Sequence, residues 1–273
     1  MRSAFHNPFV VVSALLSAVS ALIFLAWVFL TPPALPALET QVNDARTLLE
    51  RARANGRVGK LAYPISIPPS DKLPTDQRKA LFMAKFLPLI VAENTRIAKQ
   101  RDQLQKHDLA PAQLNALGLA YGLRPSNVSR AELLSRIDVL PVSLVLAQGA
   151  IESAWGTSRF AQEGNAYFGE RTFDPDAPGI TPKRATGFKV KSFDSAKLSV
   201  RSYMRTINTH RAYKALRLRR AQLRENNQMP SGAELAHYLK DYSEIGSDYI
   251  SLIDRTISSN RLGIFDQISL LQD

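Results

Sequence analysis

Residues 147–171 read AQGAIESAWGTSRFAQEGNAYFGER, and their spacing decides the architecture around them. Pro141-Val142-Ser143 opens a helix in which Leu144, Ala147, Ile151 and Trp155 recur at i, i+3, i+7 and i+11 on one face, and Gly156 ends it. Glu152 lies one turn from Gln148 and three residues before Trp155. It falls in the last turn, where the helix dipole disfavours a negative charge by about 0.3–1 kcal/mol. A neighbouring indole and partial burial raise the pKa of such a carboxyl toward the range in which it can donate a proton near neutral pH. The alternative is a solvated helix residue paired with Arg159.

Outward from this stretch the chain reads as mainly helical. Downstream, DPDAPGITPKRATG (Asp174 to Gly187) is broken by Pro and Gly, and Phe188 to Phe193 alternates as a strand, so a small β-hairpin lobe is expected. Helical patterns resume from Ser195 to Arg211, Tyr213 to Asn226, Ser231 to Tyr242 and Asp248 to Ser259. Upstream, helices are expected over Pro111 to Tyr121 and Arg130 to Val139. A long one runs from an N-cap at Thr75 to Gln105, interrupted or kinked near Pro88. Asn94 and Arg101, set into its apolar stripe, read as members of a buried bond network. LAYPISIPPSDKLP (Leu61 to Pro74) has no helical or strand period and reads as a strap, preceded by a short polar helix over Gln41 to Ala54.

The N-terminus reads FVVVSALLSAVSALIFLAWVFL over residues 9–30, without a charge. An apolar helix needs about 20 residues to cross a bilayer, so a membrane anchor is expected over residues 1–30. Arg2 before the span favours a single-pass protein of the inner (cytoplasmic) membrane with a cytoplasmic N-terminus, the remaining chain lying in the periplasm or, in a single-membrane organism, outside the cell. The Pro-rich segment that follows opens a linker and strap over residues 31–74, and residues 75–140 form a helical N-terminal region. The absence of Cys excludes disulfides, thiolate nucleophiles and zinc ribbons, and the four His show no ligand spacing, so no metal and no cofactor are expected. A net charge of +11 calls for an acidic partner. Without a helix-turn-helix, RRM or zinc-finger signature, nucleic acid is not expected to be that partner.

The strings Glu152-Ser153-Ala154-Trp155-Gly156, Ser158-Arg159-Phe160-Ala161 and Gly164-Asn165-Ala166-Tyr167-Phe168-Gly169 resemble the bacterial glucosaminidases of glycoside hydrolase family 73. Ser199 to Met204 and Ile207 to Tyr213 bring the resemblance closest to the Bax-like branch. It implies a lysozyme-like catalytic domain over residues 141–273 and cleavage of the β-1,4 bond after N-acetylglucosamine in peptidoglycan glycan strands. It also implies that Glu152 is the general acid and that Tyr213 stands near it. Trp155, Gln148, Asn165 and Phe168 are the expected substrate-binding residues.

A glycosidase of this kind usually needs a second carboxylate about 5–9.5 Å from the first. The family's is a Glu in the β-lobe. No Glu lies between Arg171 and Phe188, which leaves Asp174 and Asp176 as candidates there; both read equally as turn caps beside Pro175 and Pro178. The basic run Arg211, Lys214, Arg217, Arg219, Arg220 and Arg224 is read either as a surface for the acid groups of peptidoglycan or as a solvated face. A lytic transglycosylase and a non-catalytic peptidoglycan-binding scaffold remain the alternative readings.

Overall fold

The computed structural model describes residues 35–69, 72–106, 108–183, 187–243 and 246–271. Residues 38–273 form one compact unit, so the strap, the helical N-terminal region and the 141–273 region share a single hydrophobic core. The apolar segment 9–30 lies outside the described residues. Among the described residues, no helix is long and apolar enough to cross a membrane.

At the centre of the unit is α5 (Val142–Ser153), in which every residue from Val142 to Ala150 is buried. A helix that is apolar on all sides belongs inside a protein, and its neighbours here surround it. They are α2 (Thr75–Lys106), α9 (Gly232–Ala236), α10 (Ser247–Ser259) and a 3-10 turn over Leu262–Gln267. Its N-terminus is closed from across the chain rather than locally. The half-buried Asp266 carboxylate accepts from the Ser143 backbone N–H at 2.7 Å, from the Ser143 hydroxyl at 2.8 Å and from the Gly232 N–H at 3.2 Å, which satisfies orphan donors at the positive end of the dipole. A Cβ at Gly232 would stand 2.1 Å from Ser143 Oγ. Only glycine allows α9 this approach.

The long helix α2 continues through Pro88 instead of breaking there. Pro88 removes one backbone hydrogen bond, but it is buried together with Leu81, Phe82, Phe86, Leu87 and Ile90, and packing on α1 (Leu38–Asn55), α5 and α7 (Ala196–Thr209) holds the helix. Thr75 is its first helical residue. Asn94 and Arg101 form half-buried bonds: Asn94 exchanges two with the Leu140 backbone, at 2.8 and 3.1 Å, and Arg101 donates to the carbonyls of Leu134 and Ile137.

Shorter helices α3 (Pro111–Ala120), α4 (Arg130–Arg136), α6 (Arg159–Gly164) and α8 (Lys214–Glu225) complete the helical part. The β-lobe is a three-stranded antiparallel sheet rather than a bare hairpin, with β4 (Lys189–Lys191) between β2 (Arg171–Thr172) and β3 (Gly179–Ile180). A second sheet, unforeseen from the sequence, pairs β1 (Arg57–Val58) in parallel with β5 (Ser269–Leu270). It ties the end of α1 to the C-terminal segment.

Candidate active site

Glu152 is the penultimate residue of α5, and the backbone that follows it is unusual. Ala154, Trp155 and Gly156 have φ of 51°, 60° and 82°. Two non-glycine residues in the left-handed region each carry a steric cost of about 1–2 kcal/mol, and local bonds offset it. The Trp155 N–H reaches the Ala150 carbonyl at 2.8 Å. The Ser153 hydroxyl donates to the Gly149 carbonyl and accepts from the Gly156 N–H at 2.8 Å. The helix thus stops three residues before Gly156, which leaves the Glu152 side chain at the rim of the core.

A cleft of about 870 Å³ opens there. Its walls include Glu152, Phe168, Glu170, Tyr203, Thr206, Tyr213 and Tyr242. Burial drives the Glu152 pKa above the ordinary carboxylate value, and the Tyr249 hydroxyl, which donates to Oε1 at 2.7 Å, works against that rise. No Lys or Arg among the described residues forms an ion pair with Glu152. Behind it lies a relay of buried hydroxyls and one amide: Tyr203 donates to Gln148 Oε1, and Gln148 Nε2 donates to the Tyr249 hydroxyl at 3.1 Å. Burial holds the phenols of Tyr203, Tyr242 and Tyr249 far above the ordinary value, with the Glu152 charge adding to the effect on each. They therefore stay protonated and act as donors.

The phenol rings are locked by stacking. Phe168 lies on Tyr203 with centroids 4.1 Å apart, and Tyr242 lies on Tyr249 at 5.5 Å with the planes 7° apart. The Tyr242 hydroxyl donates to the Phe168 carbonyl at 2.9 Å. Such an arrangement can protonate an ether oxygen held against Glu152. Among the described residues no group of three or more His, Cys, Asp or Glu could hold a metal ion.

Residues 129–262 match the family described as glucosaminidase, mannosyl-glycoprotein endo-beta-N-acetylglucosaminidase. Over 199 residues the chain is 33% identical to the protein named Protein bax of Escherichia coli (strain K12), an alignment that covers 67% of this chain and 70% of that one. The chain belongs to the glucosaminidase family. No solved structure matches it. The segment that matches the family begins at the N-cap of α4 and ends after α10, so it encloses the entire cleft.

The residues expected from the sequence separate into two groups. Glu152, Tyr213 and Phe168 meet in the cleft. The others face elsewhere. Trp155 is turned by its left-handed backbone against Phe82, with centroids 5.5 Å apart, and the Lys79 ammonium sits over its ring. Gln148 is fully buried between two tyrosine hydroxyls, so it supports the site without lining it. Asn165 ends α6 in the left-handed region, and its amide donates to the Phe193 carbonyl at 2.9 Å. Asp174 and Asp176 are exposed and lie outside the cleft lining, with Asp174 Oδ1 accepting from the Asp176 N–H in the manner of a turn cap. Arg159 pairs with Glu163 at 3.1 Å, not with Glu152.

The basic run is largely structural. Arg217 and Arg220 are buried, Arg219 pairs with Glu234 and Arg224 with Asp138, which leaves Arg211 and Lys214 exposed. A helical face spaced at i, i+3 and i+7 through Arg217, Arg220 and Arg224 points inward. The strap packs through the buried Ile65 and Ile67, and none of its described residues lines the cleft.

Two participants escaped the sequence reading. Tyr249 lies 97 residues from its partner Glu152, and no local pattern could join them. Glu170 stands one residue before β2, just outside the interval in which a second carboxylate was sought. Its side chain is 7% exposed, and it lines the cleft.

Proposed function

We propose that the protein is a membrane-anchored peptidoglycan hydrolase, an endo-β-N-acetylglucosaminidase that cleaves the β-1,4 bond after N-acetylglucosamine with Glu152 as its general acid. The observation that carries this reading is a cleft carboxyl whose pKa is raised by burial and which has no cationic partner among the described residues. Family membership supplies the substrate class. A saccharide seated in the cleft would present its glycosidic oxygen to Glu152, which donates the proton as the bond to the anomeric carbon breaks. Tyr249 steadies the carboxylate left behind, and Tyr213 is placed to hydrogen-bond the sugar or the charge that develops on it. Phe168 and the tyrosine rings offer faces to sugar rings. Residues 9–30 would anchor the chain in the inner membrane, with the cleft in the periplasm beside its polymeric substrate.

The test is digestion of purified peptidoglycan by the detergent-solubilised full chain, beside Glu152→Gln, with borohydride reduction and mass measurement of the released sugars. Reducible N-acetylglucosamine ends from the wild type alone are expected. Anhydro-muramic ends would instead make it a lytic transglycosylase. No release from a folded chain that still pulls down peptidoglycan would make it a binding protein.

A further inference from the structure

We propose that Glu170 is the second catalytic carboxylate of this cleft, and that its Oε2 takes the proton from the water that attacks the anomeric carbon. The inference rests on the glycosidase reading above and deepens it. Four buried side-chain atoms among the described residues lack a hydrogen-bond partner: Arg78 Nε, Arg217 Nε, Asp254 Oδ1 and Glu170 Oε2. Only the last belongs to a residue that lines the cleft. An unsatisfied buried acceptor costs about 1–3 kcal/mol, more when charged, so its retention at a substrate site points to a partner that arrives with the substrate.

The other oxygen is fixed. Glu170 Oε1 accepts from the Thr206 hydroxyl at 2.8 Å and lies 3.7 Å from Lys191 Nζ. The backbone is fixed as well, since the Glu170 carbonyl accepts from the Lys191 N–H at 2.8 Å and so extends the β2–β4 pairing by one residue. A carboxylate with one oxygen tied and the other bare has the form of a positioned base.

Its neighbourhood also suits the role. Gly169 has φ of +63°, and a Cβ there would stand 3.3 Å from Glu152 Oε2. The chain therefore passes directly against the acid before presenting Glu170. Both carboxylates line the same cleft as the buried Tyr203 phenol, whose pKa the charge of each helps to raise. In the step itself, Glu152 gives its proton to the glycosidic oxygen and the bond from that oxygen to the anomeric carbon breaks. The water oxygen bonds that carbon, and one water proton passes to Glu170 Oε2. The product sugar has inverted configuration.

The experiment compares the wild-type full chain with Glu170→Gln, Glu170→Ala and Thr206→Val on soluble peptide-free glycan strands, following the anomeric protons by NMR. The α-anomer should appear first from the wild type. Glu170→Gln, which keeps the Thr206 bond, should lose about 10²–10⁴-fold in turnover at an unchanged melting temperature. Thr206→Val should lose less. Azide should restore turnover to Glu170→Ala with an α-glycosyl azide as product, a response that a merely structural role would not give. Full activity in Glu170→Gln while Glu152→Gln is dead would overturn the proposal and leave the glycosidase reading standing, with the substrate's own acetamido group as nucleophile. A β-anomer first product from the wild type would overturn the base role. An inert wild type would overturn both readings.

Discussion

Two acids of this protein, the buried Asp138 and the half-buried Glu152, live in opposite surroundings. Asp138 is 3% exposed and is enclosed by guanidinium groups: Arg224 Nε donates to it at 2.6 Å, and Arg220 and Arg101 lie at 3.5 and 3.8 Å. Arg220 is itself buried, and the lost hydration pulls its pKa down to about 10 despite the opposing Asp138 charge. Its remaining N–H groups reach the Ser135, Asp138 and Val139 carbonyls and Asn208 Oδ1. The Asp138 charge is answered within the protein, and the cluster locks α4 to α8. Among the described residues, Glu152 has one phenol and no cation as a partner. Its desolvation is unanswered until a substrate arrives, which is the condition of a group that does chemistry.

The largest expected effect is on the catalytic side of this contrast. Glu152→Gln should lower turnover on peptidoglycan by about 10²–10⁴-fold without loss of folded protein in a thermal melt. Asp138→Asn should do the reverse. It leaves Arg220 buried without its counter-ion, and removal of one partner of a buried pair costs about 3–5 kcal/mol, to be read from chemical denaturation. A variant that keeps its stability would show that backbone carbonyls alone hold the arginine knot.

The contrast has a pH signature too. The folded-state pKa of Glu152 is raised, so the native state holds this proton more tightly than the unfolded chain. Its contribution to stability is present below the ordinary carboxylate value and is lost as pH rises through the raised one. Glu152→Gln should therefore melt higher than the wild type at neutral pH, and the gap should close in acid. Tyr249→Phe removes the bond that favours the charged form of Glu152, which should move the alkaline limb of the kcat/KM profile upward and change its maximum by no more than about tenfold. The smallest effect belongs to Asp176→Asn. At an exposed turn outside the cleft, stability should change by less than about 0.5 kcal/mol and turnover should not change.

What was legible in the sequence follows from what is local. The periodicity of Leu144, Ala147 and Ile151 marks α5, the Pro and Gly clusters mark the β-lobe, and the 147–171 stretch with its family resemblance points to Glu152 in a last helical turn. Trp155 was misleading because aromatic residues beside an acid look alike whether they face a sugar or a core. The left-handed run at Ala154 and Trp155, invisible to propensity, chose the core. The arginines of α8 were misleading in the same way: as a string they read as an exposed cationic face, and only Asp138, more than 80 residues earlier, draws Arg220 and Arg224 inward, while Arg217 turns to the Ile207 and His210 carbonyls.

The sequence by itself determined most of the helices and the small β-lobe, because each is written in neighbouring residues whose spacing dictates a face or a turn, and its motifs carry the family resemblance that singles out Glu152. Tertiary structure alone decided the electrostatics. Asp266 at the start of α5, Tyr249 on Glu152 and Thr206 on Glu170 are contacts over 36 to 123 residues of chain. Whether a buried charge is answered depends on such contacts, since desolvation and hydrogen bonding act through space and not along the chain.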